Sequence, residues 1–137
     1  MTTLTQSTPA PAAAVWAGRA MTGLIALFLT FDGVIKVLDL PVVRETMVQL
    51  GYPPSLDRGL GAMTLVLVAL YLHPRTAVLG AVLITGLYGG AIATHLRVAS
   101  PVFSHLLFGV YLGLLTWGGL YLRDARLRAV FPLRRNG

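Results

Sequence analysis

Three side chains that can carry charge or exchange protons lie close together between long apolar segments of the chain. His95 and Arg97 come at the end of one apolar segment, and His105 lies at the start of the next. Imidazole gains and loses a proton near neutral pH, and guanidinium binds oxyanions. Asp32 and Lys36 end an earlier apolar segment, four residues apart, so a helix pairs them on one face. These five side chains are the candidate ligand-binding residues.

The composition is that of a protein embedded in a lipid bilayer. Of the 137 residues, 55% are hydrophobic and 12% are charged, whereas a soluble domain carries roughly 25% charged residues. Cysteine is absent, which excludes disulfides, thiol nucleophiles, Cys-ligated zinc and iron–sulfur clusters. The net charge of +6 comes largely from arginines beside apolar segments. Membrane topology explains that charge, and we expect no nucleic-acid partner.

Four segments are long and apolar enough, or nearly so, to cross about 30 Å of hydrocarbon, which takes about 20 residues. Lipid offers no hydrogen-bond partner to the backbone, so helices are expected in every segment. The sequence therefore predicts an all-α fold, an integral membrane four-helix bundle. The predicted spans are residues 16–38, 57–73, 76–96 and 102–122.

The segments outside the predicted spans are short, apart from one loop. Residues 1–15 carry no charged side chain and are interpreted as a flexible tail, and residues 123–137 as a basic cytoplasmic tail. The loop at residues 39–56 contains PVVRETMVQLGY, whose apolar residues fall at helical spacing. We predict a short interfacial helix there.

Lysine and arginine are divided unequally between the two sides of the predicted bundle. The tail after the fourth span, together with Arg19 and Arg75, gives one side seven of them, against four on the other side. Positive residues favour the cytoplasmic side of a membrane. We therefore predict that both termini are cytoplasmic, in a multi-pass protein of the cell membrane.

This topology brings the five candidate residues to the outer, extracytoplasmic half of the bundle. Gly109 and Gly113 continue one helical stripe from His105, which predicts that His105 faces inward. Gly86 and Gly90 form a similar stripe in the third span. Because small residues let membrane helices approach closely, we interpret these four glycines as helix-packing residues.

Each candidate residue also has an interpretation without a ligand. Asp32 and Lys36 could neutralise each other, Lys36 and Arg97 could extend into the headgroups, and the histidines could be polar packing residues. Ionisable groups inside a span are costly, however, and usually mark a pathway or a site. A haem held by the two histidines is a further alternative. We predict no metal site, because neither cysteine nor an obvious third ligand accompanies the histidines.

Four stretches of the sequence resemble the DoxX-like membrane proteins, a small four-helix group related to DoxX and DoxD. They are FDGVIKVL in the first span, LGYP in the loop, TAVLGAVLITGLYGGAIATHLR in the third span and WGGLYLRD in the fourth. The resemblance covers about residues 19–132 and implies a four-helix integral membrane protein. DoxD relatives are subunits of a thiosulfate:quinone oxidoreductase, and some DoxX relatives are linked to membrane-associated redox complexes. The resemblance therefore implies redox partnership, while the absence of cysteine argues against a thiol mechanism.

Two functions follow as hypotheses. In the first, the chain is a redox-associated membrane subunit that binds a quinone or small solute in its outer half, where a histidine exchanges a proton with a quinone oxygen. A quinone is then the cofactor, and a redox enzyme subunit is the partner besides the lipid bilayer. In the second, the chain is a non-catalytic scaffold or a small-solute permease subunit. A homo-oligomer is compatible with both, and neither decides whether the chain is an enzyme by itself.

Overall fold

The structure, a computed structural model, describes residues 11–130, which contain helices and no strand. The predicted tails therefore lie outside the described residues at positions 1–10 and 131–137. A 3-10 turn leads into the third α-helix and a π-helical turn, Val102–Leu106, leads into the fifth. The α-helices are α1 Ala12–Val37, α2 Pro41–Gln49, α3 Asp57–Leu72, α4 Ala77–Arg97, α5 Phe108–Arg123 and α6 Ala125–Val130.

Four helices are long and apolar enough to cross a membrane, two of them when the turn before the helix is included. They are α1, α3, α4 and α5. This confirms the predicted four-helix bundle. Helix α1 packs against α3 and α5, and α4 packs against the same two helices. The spans therefore form a square in which α1 and α4 lie diagonally opposite each other. The cytoplasmic location of both termini stays a prediction.

Helix α1 is longer than the sequence predicted. It begins at Ala12 instead of near Trp16, so part of the predicted N-terminal tail is helical. Pro11 precedes it, and proline is well tolerated at a helix start, where its missing N–H has no partner to lose. The alanines that follow have the highest helix propensity of any residue. Helix α6 likewise occupies part of the predicted C-terminal tail.

The surface of the bundle is apolar along the spans. Leu27 is 71% exposed, Phe31 64% and Leu114 67%. A continuous apolar surface of this kind marks a region that water does not cover. Lipid chains solvate such side chains, so the exposed pattern supports a bundle that lies within the bilayer.

Glycines set the distance between helices at three crossings. A Cβ on Gly80 would lie 2.4 Å from the backbone nitrogen of Tyr71, so α3 and α4 meet there backbone to backbone. A Cβ on Gly61 of α3 would lie 2.6 Å from the carbonyl oxygen of Gly33 of α1, and one on Gly18 would lie 2.8 Å from a carbonyl of α5. Any side chain at these positions would push two spans apart.

A hydrogen-bond network joins all four spans in the core. Arg123 Nε donates to Thr22 Oγ1 at 3.0 Å. The Thr22 hydroxyl contacts the Tyr71 phenol at 3.4 Å, and Tyr71 donates to the carbonyl of Thr116 at 2.6 Å. Tyr88 of α4 contacts the Thr116 hydroxyl at 3.2 Å, and that hydroxyl donates to the carbonyl one turn earlier. Both series of donors end on backbone carbonyls, so the network fixes the packing of the four spans.

The two ends of the bundle differ in their side chains. We call the end with the α3–α4 turn and Arg123 the arginine end, and the end with His95 and His105 the histidine end. At the histidine end α1, α2 and α4 finish with a left-handed residue, at φ 57° in Asp39, 80° in Gly51 and 54° in Ala99. The next N–H then bonds back to a carbonyl five residues earlier. Such turns close a helix and satisfy its last carbonyls, which keeps the loops at this end compact.

Candidate functional site

The pair expected on α1 is present. Lys36 Nζ lies 2.6 Å from Asp32 Oδ2, and the two side chains are 25% and 28% exposed. Both residues belong to one helix, one turn apart, so the contact does not depend on the rest of the bundle. Each charge has its counter-ion, which makes the pair a polar but neutral edge of the histidine end.

The C-terminal turn of α4 and the π-helical turn bring the two histidines together. The ring centroids of His95 and His105 lie 5.6 Å apart, edge to face. His95 Nδ1 lies 3.0 Å from Ser100 Oγ, and His105 Nδ1 lies 2.8 Å from Ser104 Oγ. In the described part of the chain neither Nε2 atom has a hydrogen-bond partner. Each ring is thus held through Nδ1 and keeps Nε2 for a ligand.

The prediction that His105 faces inward is wrong. Its side chain is exposed, whereas Gly109, four residues later, is buried. The N–H groups of Leu106 and Leu107 bond to carbonyls five residues earlier, as in a π-helix. A π-helical turn changes the rotation per residue relative to an α-helix. The stripe of Gly109 and Gly113 therefore does not continue to His105.

The α1 pair and the histidines lie at the same height on the bundle. Phe28 of α1 and Phe108 of α5 contact each other edge to face at 5.4 Å. Helices α1 and α5 run in opposite directions. Asp32, about one turn after Phe28, and His105, about one turn before Phe108, therefore both lie on the same side of this contact. No hydrogen bond or ion pair among residues 11–130 joins the α1 pair to the histidines. The candidates share one end of the bundle but remain in separate local contacts.

Arg97 is engaged by the loop that contains α2. Its Nη2 donates to the carbonyl of Leu50 at 2.6 Å, and its guanidinium lies 6.0 Å from the ring centroid of Tyr52. Tyr52 in turn contacts the Thr94 hydroxyl at 2.6 Å. Leu50 ends α2, where carbonyls lack helical partners and a cation is favourable. Arg97 therefore holds α2 against α4.

The four glycines expected to pack helices divide into two pairs. On α5, a Cβ at Gly109 would lie 2.8 Å from the Ile92 side chain, and one at Gly113 would lie 3.9 Å from a ring of α4. On α4, a Cβ at Gly86 or Gly90 would meet nothing within 4 Å. Within the described chain Gly86 and Gly90 therefore do not pack against another helix, because they lie on the face of α4 turned away from the bundle.

A family comparison covers most of the four spans. The model of the DoxX-like family matches residues 20–119. The chain belongs to the DoxX-like family. The DoxX-like region contains all five candidate ligand residues and the spans apart from the start of α1 and the end of α5. No curated protein and no solved structure matched the chain.

This DoxX-like protein has a second charged cluster that the sequence patterns did not single out. Arg44 of α2 makes a forked ion pair with Asp39, and Arg58 lies 3.4 Å from the same carboxylate. The Arg44 guanidinium holds the pKa of the Asp39 carboxyl well below its usual range. Asp57 is 1% exposed, and its Oδ2 has no hydrogen-bond partner among the described residues. The cluster lines a cavity of about 420 Å³.

The histidine pair of the DoxX-like protein lies outside the described cavities. Neither the 420 Å³ cavity nor one of about 500 Å³ at the arginine end is lined by His95 or His105. The pair instead lies at the surface, close in the chain to exposed apolar side chains. The acidic and basic residues of the 420 Å³ cavity are spread over a loop and two helices, so no single helical spacing in the sequence marks them.

Proposed function

We propose that this DoxX-like protein is a redox-associated subunit of the cell membrane that binds a quinone or another small solute at its histidine end. The observation that carries the proposal is the contact between His95 and His105, with ring centroids 5.6 Å apart. Each ring is held at Nδ1 by a serine. Nε2 of each ring can donate to, or accept from, a ligand oxygen.

The side chains around the histidines fit a quinone. A bound quinone would supply reversible electron transfer, which imidazole and guanidinium groups cannot supply. Its oxygens call for hydrogen-bond donors, and its tail calls for an apolar surface. Leu96 is 67% exposed and Phe103 80% exposed close to the histidines in the chain. Polar and apolar groups therefore adjoin as such a ligand requires.

The residues of the chain itself bind the ligand and move protons in this proposal. Nε2 of either histidine is an imidazole nitrogen that can give a proton to a ligand oxygen or take one from it. Arg97, held by α2, places positive charge at the same end, whereas Lys36 is neutralised by Asp32. The chain has no cysteine to oxidise, and we assign the electrons to a partner oxidoreductase subunit.

A non-catalytic scaffold is the alternative, and one observation favours it. Gly86 and Gly90 leave α4 with a face that meets no other described helix. Small residues allow close helix approach in a membrane. That face would dock a span of a partner subunit or a second copy of the chain. In this case the histidines only orient the two spans that carry them.

The test is quinone binding by the full chain in lipid nanodiscs. A short-chain ubiquinone analogue and a menaquinone analogue are titrated against wild type, His95→Ala and His105→Ala. His73→Ala is the matched control, because His73 is exposed at the arginine end of the bundle, away from His95 and His105. We expect each of the first two variants to weaken binding by about tenfold, the loss of one hydrogen bond of about 1.4 kcal/mol. His73→Ala should bind as wild type does.

Two outcomes separate the proposals. Equal binding by all four folded proteins, or no binding by any, would overturn the quinone assignment. Mass spectrometry of the protein purified in mild detergent then identifies what co-purifies. A redox enzyme subunit together with a quinone supports the first proposal. A partner retained equally by wild type and both histidine variants, without a quinone, supports the scaffold.

A further inference from the structure

Two arginines at the arginine end are occupied by contacts within the chain. Arg128 Nη1 donates to the carbonyl of Tyr121 at 2.7 Å and to that of Leu122 at 2.9 Å, which closes the end of α5. The guanidinium of Arg19 lies 5.3 Å from the ring centroid of Trp16, on the first turns of α1. These two side chains therefore have their contacts at helix ends and do not belong to the cavity described next.

Three other arginines line a cavity of about 500 Å³ between the α3–α4 turn and the α5–α6 junction. They are Arg75, Arg123 and Arg126. The side chains of Arg75 and Arg126 make no hydrogen bond or ion pair with the residues that the structure describes. Asp124 also lines the cavity, but its Oδ1 accepts the Arg126 backbone N–H at 2.8 Å and caps α6. No ion pair in residues 11–130 joins Asp124 to the three arginines, so the cavity carries an excess of positive charge.

Arg123 forms the fixed wall of this cavity. Its Nε donates to Thr22 Oγ1 at 3.0 Å, and its Nη2 donates to the carbonyl of Tyr71 at 3.2 Å. Its guanidinium also lies 5.3 Å from the Tyr71 ring centroid. A guanidinium has more N–H donors than these contacts use, and their forked arrangement matches a phosphate. One cation of the cavity is thus in position before any ligand binds.

The cavity lies at the level of the lipid headgroups. Its lining comes from the α3–α4 turn, the start of α4, the end of α5 and the start of α6. Leu72 and Val78 are exposed next to it in the chain and offer an apolar surface to acyl chains. The predicted orientation places this end in the cytoplasmic leaflet, where anionic lipids concentrate and basic pockets between spans bind their headgroups.

We propose that this cavity binds the phosphate of an anionic phospholipid headgroup, with Arg75, Arg123 and Arg126 as its cationic ligands. The group recognised is a phosphate without a neighbouring cation in the headgroup, and the apolar side chains beside the cavity favour a phosphate that carries acyl chains over a soluble one. The site is at the opposite end from the histidines, so this inference does not depend on quinone binding.

The test measures phosphatidylglycerol binding to the full chain in a neutral detergent by native mass spectrometry, with phosphatidylcholine as the zwitterionic comparison. Variants are Arg75→Gln, Arg126→Gln and the double variant. Arg19→Gln is the matched control, because it removes the same charge at the same end from a residue outside the cavity. We expect phosphatidylglycerol binding to weaken about fivefold for each cavity arginine removed, while Arg19→Gln binds as wild type does.

Three results would overturn the assignment. They are equal retention of the two lipids by wild type, unchanged phosphatidylglycerol binding in the double variant, and equal weakening by Arg19→Gln. Displacement of phosphatidylglycerol by millimolar inorganic phosphate would show that the cavity binds a soluble phosphate, and it would contradict the assignment to a lipid. Thermal unfolding without added lipid establishes that each variant is folded. Arg75 and Arg126 are exposed, so folding should survive their replacement.

Discussion

At the arginine end, Tyr71 donates a hydrogen bond to the carbonyl of Thr116, 45 residues later in the chain. At the histidine end, Lys36 bonds to Asp32, only four residues earlier, and His95 bonds to a serine five residues later. The first kind of contact joins two spans and is lost when the spans separate. The second kind lies within one helix or its adjoining turn. Polar groups at the arginine end therefore hold the bundle together, whereas most of those at the histidine end leave it unaffected.

The difference separates structural polar groups from candidate binding groups. Tyr71 and Thr116 are buried. The Tyr71 hydroxyl donates to the backbone carbonyl of Thr116, and the Thr116 hydroxyl donates to a backbone carbonyl of its own helix. His95 is partly exposed and His105 is exposed, and each keeps one ring nitrogen without a hydrogen-bond partner among residues 11–130. Exceptions at the histidine end are Arg97 and Tyr52, which bond across the chain to dock α2, and Arg58 of α3, which lies 3.4 Å from Asp39. We expect mutations to follow this division.

The largest effect should come from Gly80→Ala at the α3–α4 crossing. The added Cβ would lie 2.4 Å from the backbone nitrogen of Tyr71, and backbone cannot move aside as a side chain can. We expect a loss of about 3 kcal/mol in the free energy of unfolding, the upper end for overpacking. Chemical denaturation in detergent measures it.

Gly86→Ala is the matched control for Gly80→Ala on the same helix. Its Cβ would meet nothing within 4 Å, and alanine is a better helix former than glycine by about 1 kcal/mol. We expect stability equal to or above that of wild type. Equal losses of stability in the two variants would show that an added Cβ is no more crowded at the α3–α4 crossing than on the open face of α4.

The next largest effect should come from Tyr71→Phe. The variant removes the donor to the Thr116 carbonyl and the partner of the Thr22 hydroxyl, both inside the bundle. We expect a loss of about 1 to 2 kcal/mol in the free energy of unfolding, measured as for Gly80→Ala. Tyr111→Phe is the control, since Tyr111 is 45% exposed on α5. If His95→Ala were as destabilising as Tyr71→Phe, the division between the two ends would be wrong.

The sequence predicted the spans because hydrocarbon thickness and backbone hydrogen bonding constrain them strongly. Charges and prolines mark the ends of α3 and α4, so their predicted boundaries fall close to the observed ones, whereas the fourth span was predicted to start at the π-helical turn and α5 begins only at Phe108. The start of α1 was placed too late, since Ala12 and its neighbours extend a helix without making the segment more apolar. The contact between residues Gly80 and Tyr71 is invisible in the sequence, because glycine occurs equally on packed and open faces.

The candidate site was only partly predictable. Spacing indicated the Asp32–Lys36 pair, because both residues lie on one α-helix. The same spacing failed for His105, since the π-helical turn breaks the α-helical periodicity on which the prediction depended. The core network went unnoticed because Tyr71 and Thr116 are neutral, and only their convergence from different spans distinguishes them from ordinary membrane residues. Ionisable residues were the visible signal, and they concentrate at the histidine end.

The smallest effect should come from the ion pair of Asp39 at the histidine end. Arg44 lowers the pKa of Asp39 from its ordinary value of 3.8. A carboxyl whose pKa is lower in the folded chain stabilises it fully above the ordinary value, and loses that contribution as the pH falls through the folded-state pKa. We expect Asp39→Asn to be slightly less stable than wild type at neutral pH. The two proteins should begin to converge in stability only as the pH falls below the ordinary value of 3.8, and they become equal only below the folded-state pKa of Asp39.

Thermal unfolding in detergent at a series of pH values checks this expectation. Glu45→Gln is the matched control, since Glu45 is an exposed carboxylate of α2 without an ion pair among the described residues. It should keep the acid-side decline of wild type, because it leaves the contact between Asp39 and Arg44 intact. The pair is local and largely exposed on its Arg44 side, so its contribution should be smaller than that of Tyr71. If Asp39→Asn lost more stability than Tyr71→Phe, a major stabilising contact would lie at the histidine end. The division between a stabilising end and a binding end would then be wrong.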